Sequence, residues 1–128
     1  MTDLDADDCN FISSDNHKNE ISVQADTIDN ILNHHDKCID ILKIDVEGFE
    51  LMVLKGADKT LTRTKFIYFE LWDELTSRFE YVGSEIIDLL YSKGFKVYHL
   101  NNFELGEEVT KRAFPNIAEY IAVSSKNI

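Results

Sequence analysis

The sequence predicts an α/β domain with parallel strands in one sheet and an antiparallel strand pair at its C-terminal end. Three observations carry this. Ile39–Val46 is a short, β-branched apolar run of strand length, nearly continuous as in a strand covered on both faces, and Lys65–Leu71 reads as a second buried strand. Helix-period segments alternate with the strands, and such alternation implies right-handed crossovers and a parallel sheet. The last two strands have no helix between them, so they are expected to pair antiparallel at one edge.

Taken in order, residues 1–20 are polar and acid-rich, with Phe11 and Ile12 as the only adjacent large apolar pair. They read as loop with at most one short strand, and residues 21–128 as the folded domain. Ile21 and Val23 alternate with polar residues, which suits a brief strand. Thr27 is a candidate N-cap for a helix with Ile28, Ile31 and Leu32 at i, i+3, i+4, and Asp29 in its first turn suits the helix dipole. A second helix is expected from Phe49 to Lys55. Phe49, Met52 and Val53 share one face, Leu51 and Leu54 the other, and Gly56 follows as a stop. Ser84 can cap a helix from Glu85 to Lys93, with Ile86, Leu89 and Leu90 inward and Gly94 as its end. "FKVYHL" is a third strand; Pro115 breaks the chain before "IAEYIAVS", a fourth.

At 128 residues the chain is one domain at most, and 44% apolar with 11% aromatic residues is a globular composition. The net charge of −11 argues against nucleic acid, which needs a basic stripe to release counterions. No Lys/Arg cluster suggests an anionic membrane as partner. Cys9 and Cys38 are too few to staple a domain of this size. The acidic N-terminus lacks the apolar core of a signal peptide, and no run approaches the roughly 20 apolar residues of a membrane span. A soluble cytoplasmic protein is the expectation.

The stretch "ILKIDVEGFELMVLKGA", Ile41 to Ala57, carries Lys43, Asp45, Glu47 and Glu50 within otherwise buried-type sequence. In open sheets of this class ligands sit beyond the carboxyl ends of the strands, which places Asp45, Glu47, Gly48, Glu70 and Trp72 on the ligand side. Lys43 and Asp45 share one strand face, as do Tyr68 and Glu70. A lysine in a doubly covered strand must be paired, so a structural ion pair of Lys43 with Glu70 or with Asp45 is expected. Asp45 suits a general base, a ligand for a cationic cofactor group or a metal ligand, or else a cap for the following helix. Gly48 fits a positive φ or a close backbone approach. Glu50 reads as a helix-start acid, while Glu47 stays open between that role and a functional one. Trp72 is either the floor of a substrate pocket or a lid over the core. His34, His35 and Cys38 have no second ligand pair, so no zinc site is expected.

Together, "TIDNIL", "ILKIDVEGFELMVLKGA", "KFIYFEL", "IIDLLYSKGFKVY" and "EYIAVS" resemble the C-terminal half of FkbM-type methyltransferases, over about Ile21 to Ser124. The resemblance implies a Rossmann-like class I methyltransferase fold, S-adenosylmethionine as donor and usually a hydroxyl oxygen as acceptor. It assigns Asp45 and, more weakly, Glu47 to the reaction centre. Asp45 with Val46 is expected against the donor, and Glu70 and Trp72, by their place at the strand ends, on the substrate side. Family members carry a glycine-rich donor loop upstream, whereas no glycine precedes Gly48 here. The fold is therefore expected to be incomplete, with weak or no donor binding by the chain alone. The strand Ile41–Val46 would present an unpaired edge, open to self-association or to pairing with an N-terminal half. Two other readings remain: a non-catalytic remnant or interaction subunit, and a Mg²⁺-dependent transferase using Asp45, Glu47 and Glu70.

Overall fold

The computed structural model describes residues 23–102, 104–109 and 117–126. The acidic segment 1–20, the strand residue Ile21 and Pro115 lie outside them. Val23, its companion in the expected first strand, is in no strand and is exposed.

Thr27 caps helix α1 (Ile28–Ile31), its Oγ1 accepting the Asn30 N–H at 3.2 Å. The helix is a single turn and Ile31 faces solvent, so only part of its expected apolar stripe is used. Asp29 makes the more consequential contact. Its two carboxylate oxygens accept the N–H groups of Lys59 and Thr60 at 2.8 Å, capping helix α3 (Asp58–Leu61) from about thirty residues away.

Strand β1 (Ile39–Ile44) leads to helix α2 (Glu50–Lys55) and α3, and then to strand β2 (Thr64–Trp72). Helix α4 (Asp73–Thr76) starts as β2 ends and runs into a 3-10 turn, Ser77–Phe79. Helix α5 (Gly83–Ser92) follows. Its N-cap is Val82 rather than Ser84, and the Glu85 carboxylate accepts the Val82 N–H at 3.2 Å. Gly94 (φ +86°) ends the helical stretch and starts strand β3 (Phe95–Asn101). Strands β4 (Glu104–Glu108) and β5 (Ile117–Ser124) complete the sheet.

The sheet order is β1-β2-β5-β3-β4. Only β1 and β2 run parallel as neighbours; β5 is antiparallel to both β2 and β3, and β4 is antiparallel to β3. The expectation of a mainly parallel sheet is thereby corrected to a mixed α/β fold with mostly antiparallel pairing. The antiparallel partnership of β3 and β5 does form, but inside the sheet. The unpredicted β4, with no large apolar residue but the exposed Leu105, takes the edge instead.

From Ile67 to Trp72 the side chains of β2 alternate between buried and more exposed positions. Ile44, Ile67, Phe69, Val97 and Tyr120 point into one core with Leu51 and Leu54 of α2 and Ile86, Ile87 and Leu90 of α5. Phe69 and Tyr120 stack at its centre, 5.4 Å between ring centroids. Truncating the Phe69 ring would cost about 3–5 kcal/mol. The opposite face is more open: Ile41 is 59% and Phe66 39% exposed. The premise that β1 is covered on both faces therefore fails among the described residues, and Lys43 stands on the open face.

Candidate functional site

Two parallel strands that end side by side build the site. In the β1–β2 register Ile44 pairs with Phe69, which carries Asp45 and Glu70 out at the same end of the sheet. Beyond β1 the chain turns at once. The Phe49 N–H donates to the Val46 carbonyl at 3.2 Å, and both central residues are left-handed, Glu47 at φ +52° and Gly48 at φ +99°. Left-handed φ at two central positions is the signature of a type I′ turn. Glycine accepts it freely, whereas for Glu47 it is a strained conformation of about 1–2 kcal/mol. A Cβ at position 48 would also meet the backbone of Leu75 at 2.6 Å, so the turn is pressed against α4.

Asp45, Glu47, Gly48, Glu50, Glu70, Trp72 and Leu75 line the resulting cleft, whose empty volume is about 230 Å³ with its open mouth included. The structure thus brings together Asp45, Glu47, Glu70 and Trp72. Val46 follows Asp45 but turns toward the core, against which it is partly buried.

The alternative in which Asp45 caps the next helix is not realised, because α2 has no side-chain cap. Instead Asp45 Oδ2 takes the Lys43 ammonium at 2.9 Å. Of the two expected partners of Lys43, Asp45 makes the contact. Glu70 acts on it only through space, behind the Asp45 hydrogen bond and charge that raise the lysine's pKa. The pair is well exposed, 60% and 44%, so its contribution to stability is small.

Charge is the main property of the cleft. Glu70 is exposed, yet partial loss of hydration pushes its carboxyl up, and repulsion from Asp45, Glu47, Glu119 and Glu50 adds to it. Glu119 stands directly across from Glu70 on β5, a like-charge pair that opposes sheet formation. The Tyr68 hydroxyl donates to Glu119 Oε1 at 2.6 Å; that bond, burial and the carboxylate charges push the phenol up to about 12. Among the described residues no three ligands converge as a metal ion requires.

Glu50 is in the first turn of α2, as expected, but it is buried and its side chain reaches backward. Oε1 accepts the Gly48 N–H at 3.0 Å, and Oε2 lies 3.1 Å from the Tyr81 hydroxyl. Tyr81, Glu119 and Leu75 escape sequence reasoning, because each reaches the site from a distant segment with no spacing signal.

With this geometry in hand, comparison with known proteins is decisive at the level of family. The family described as Methyltransferase FkbM domain matches residues 2–97. The chain belongs to that family. No curated protein and no solved structure matches it. The FkbM match includes every residue that lines the cleft, and it points to methyltransferase activity. No described helix is long and apolar enough to cross a membrane.

Proposed function

We propose that this chain holds the acceptor side of an S-adenosylmethionine-dependent methyl-transfer site, on part of a Rossmann-like class I fold. The observation that carries the reading is the convergence of Asp45, Glu47, Glu70 and Trp72 at the carboxyl ends of two parallel strands in an FkbM-family chain. The donor set suits the methionine end of the donor, which is cationic: four carboxylates and an indole face a cleft with no lining cation. When bound, S-adenosylmethionine supplies an activated methyl group on sulfonium sulfur.

The chain's own residues would then do the following. Lys43 holds one oxygen of Asp45, leaving the other to orient the acceptor hydroxyl and take its proton. Glu47 presents a second carboxylate beside it. Glu70 and Trp72 form the wall against which the acceptor lies. Alignment of two reactants supplies most of the acceleration in such a site.

The small cleft and the lack of a glycine before Gly48 support weak donor binding by this chain alone. The test is an amide NMR titration of the full chain with S-adenosylhomocysteine. The expected result is detectable but weak binding, with an affinity of about millimolar and shifts confined to the Asp45–Gly48 turn and the Glu70–Leu75 segment. Shifts centred elsewhere would refute the placement, and tight binding would refute the view that only half of the site is present.

The position of β1 at a sheet edge, with β2 as its one neighbour among the described residues, supports the further reading that another strand joins it. That strand would come from a second copy or from a segment bearing the glycine-rich donor loop.

A further inference from the structure

Resting on this reading of the cleft, we infer that Glu50 and Tyr81 are positioning residues. They form a buried bracket that fixes the Glu47–Gly48 turn and thereby the direction in which Asp45 and Glu47 face the acceptor.

Gly48 is held by both of its backbone polar groups. Its N–H donates to Glu50 Oε1 at 3.0 Å, and its carbonyl accepts from the Tyr81 hydroxyl at 2.7 Å. Glu50 is 3% and Tyr81 5% exposed, so neither bond competes freely with water. The tyrosine comes 33 residues later in the chain, between the 3-10 turn and α5. It therefore ties the turn to the same segment that supplies Leu75, whose backbone blocks the other side of Gly48. A glycine has the widest conformational choice of any residue, and here it directly follows a strained Glu47. Without the bracket, the left-handed pair has little to hold it at the angle the cleft needs. A buried carboxylate beside a phenol is also a costly way to fill space. Its geometry is that of a device aimed at one peptide unit.

The test uses the full chain and the variants Tyr81→Phe, Glu50→Ala and Glu50→Gln. Glutamine keeps an oxygen for the Gly48 N–H and offers an N–H to the Tyr81 oxygen, so it should restore what alanine loses. In ligand-free protein, the expected result is hydrogen exchange at the Gly48 amide roughly tenfold faster in Tyr81→Phe and Glu50→Ala, in excess of any global change. Glu50→Gln should stay near wild type. In the titration with S-adenosylhomocysteine, the first two variants should show shifts at Asp45–Gly48 at least about threefold smaller at equal ligand concentration. Exchange that rises uniformly across the chain, with an unchanged titration, reduces the bracket to ordinary core packing and overturns the inference. So does a wild-type Gly48 amide in Tyr81→Phe. The exchange measurement needs no ligand and decides the bracket by itself. A silent titration of the wild type counts instead against the proposed site.

Discussion

Gly48 and Leu75 touch so closely that a Cβ added to the glycine would stand 2.6 Å from the Leu75 carbonyl oxygen. The same residue has φ +99°, so alanine meets two penalties there. Gly48→Ala is expected to lower stability by roughly 2–5 kcal/mol in urea unfolding. Gly94→Ala provides the control: φ is +86° but the nearest atom is 4.0 Å away, and the loss should be about 1–2 kcal/mol. Equal losses at the two sites would refute the contact with α4.

Asp29 is expected to stabilise the fold as the cap of α3. Burial raises its pKa, but hydrogen bonds from the Lys59 and Thr60 N–H groups outweigh this, and the carboxyl ends below its ordinary 3.8. A lowered folded value means that the contribution is present above 3.8 and fades as the pH drops through the folded value. Asp29→Ala should cost about 1–2 kcal/mol near neutrality. The gap to wild type should narrow in strong acid, measured by urea unfolding at several pH values. A gap that widens in acid would contradict the cap.

Glu70 should behave in the opposite sense. Its carboxyl is raised above the ordinary 4.5 by partial desolvation and by Asp45, Glu47, Glu119 and Glu50, so the folded chain holds that proton more tightly than the unfolded one. Its ionisation opposes folding as the pH rises through this window. Glu70→Gln should therefore raise the melting temperature near neutrality, with the gain shrinking below 4.5 and in high salt. A drop in the melting temperature at neutral pH would show that Glu70 has a stabilising partner.

How much of this was legible beforehand depends on the range of each interaction. The turn from β1 into α2 could be read locally, since "DVEGFE" carries its own glycine and acids, and Gly48 does take a positive φ. Lys65–Leu71 was legible as a strand too, although only alternate residues from Ile67 on (Ile67, Phe69 and Leu71) are buried. The pairing of strands did not, because direction and order are decided by partners far along the chain. Antiparallel β5 between β2 and β3 has no local signature. Tyr81 illustrates the same limit within the site: a tyrosine before a helix says nothing of a carbonyl at Gly48. Lys43 shows the reverse error. Its neighbours read as buried, but the face it occupies is open, so its pairing with Asp45 is a surface contact.

Ile41 tests the open edge of β1. At 59% exposure it is an apolar side chain on a strand with one sheet neighbour among the described residues. The proposed edge pairing predicts concentration-dependent association in sedimentation velocity, suppressed by Ile41→Lys, a substitution of the kind that blunts natural edges. A wild type that sediments as a single monomer at all concentrations would remove self-pairing.

The place of β5 also governs the order in which the sheet can be assembled. Of the five described strands it is the last to leave the ribosome, yet it is the seam between β1–β2 and β3–β4. Until Ser124 has been made, each half is, among the described strands, a two-stranded ribbon with an unmatched margin facing the place of β5. Synthesis of the earlier strands therefore leaves two unjoined pieces, and the core around Phe69 and Tyr120 closes in a late, single event. Any stop before Ile117 would leave a nascent chain whose two strand pairs cannot join, a substrate for chaperones or proteases.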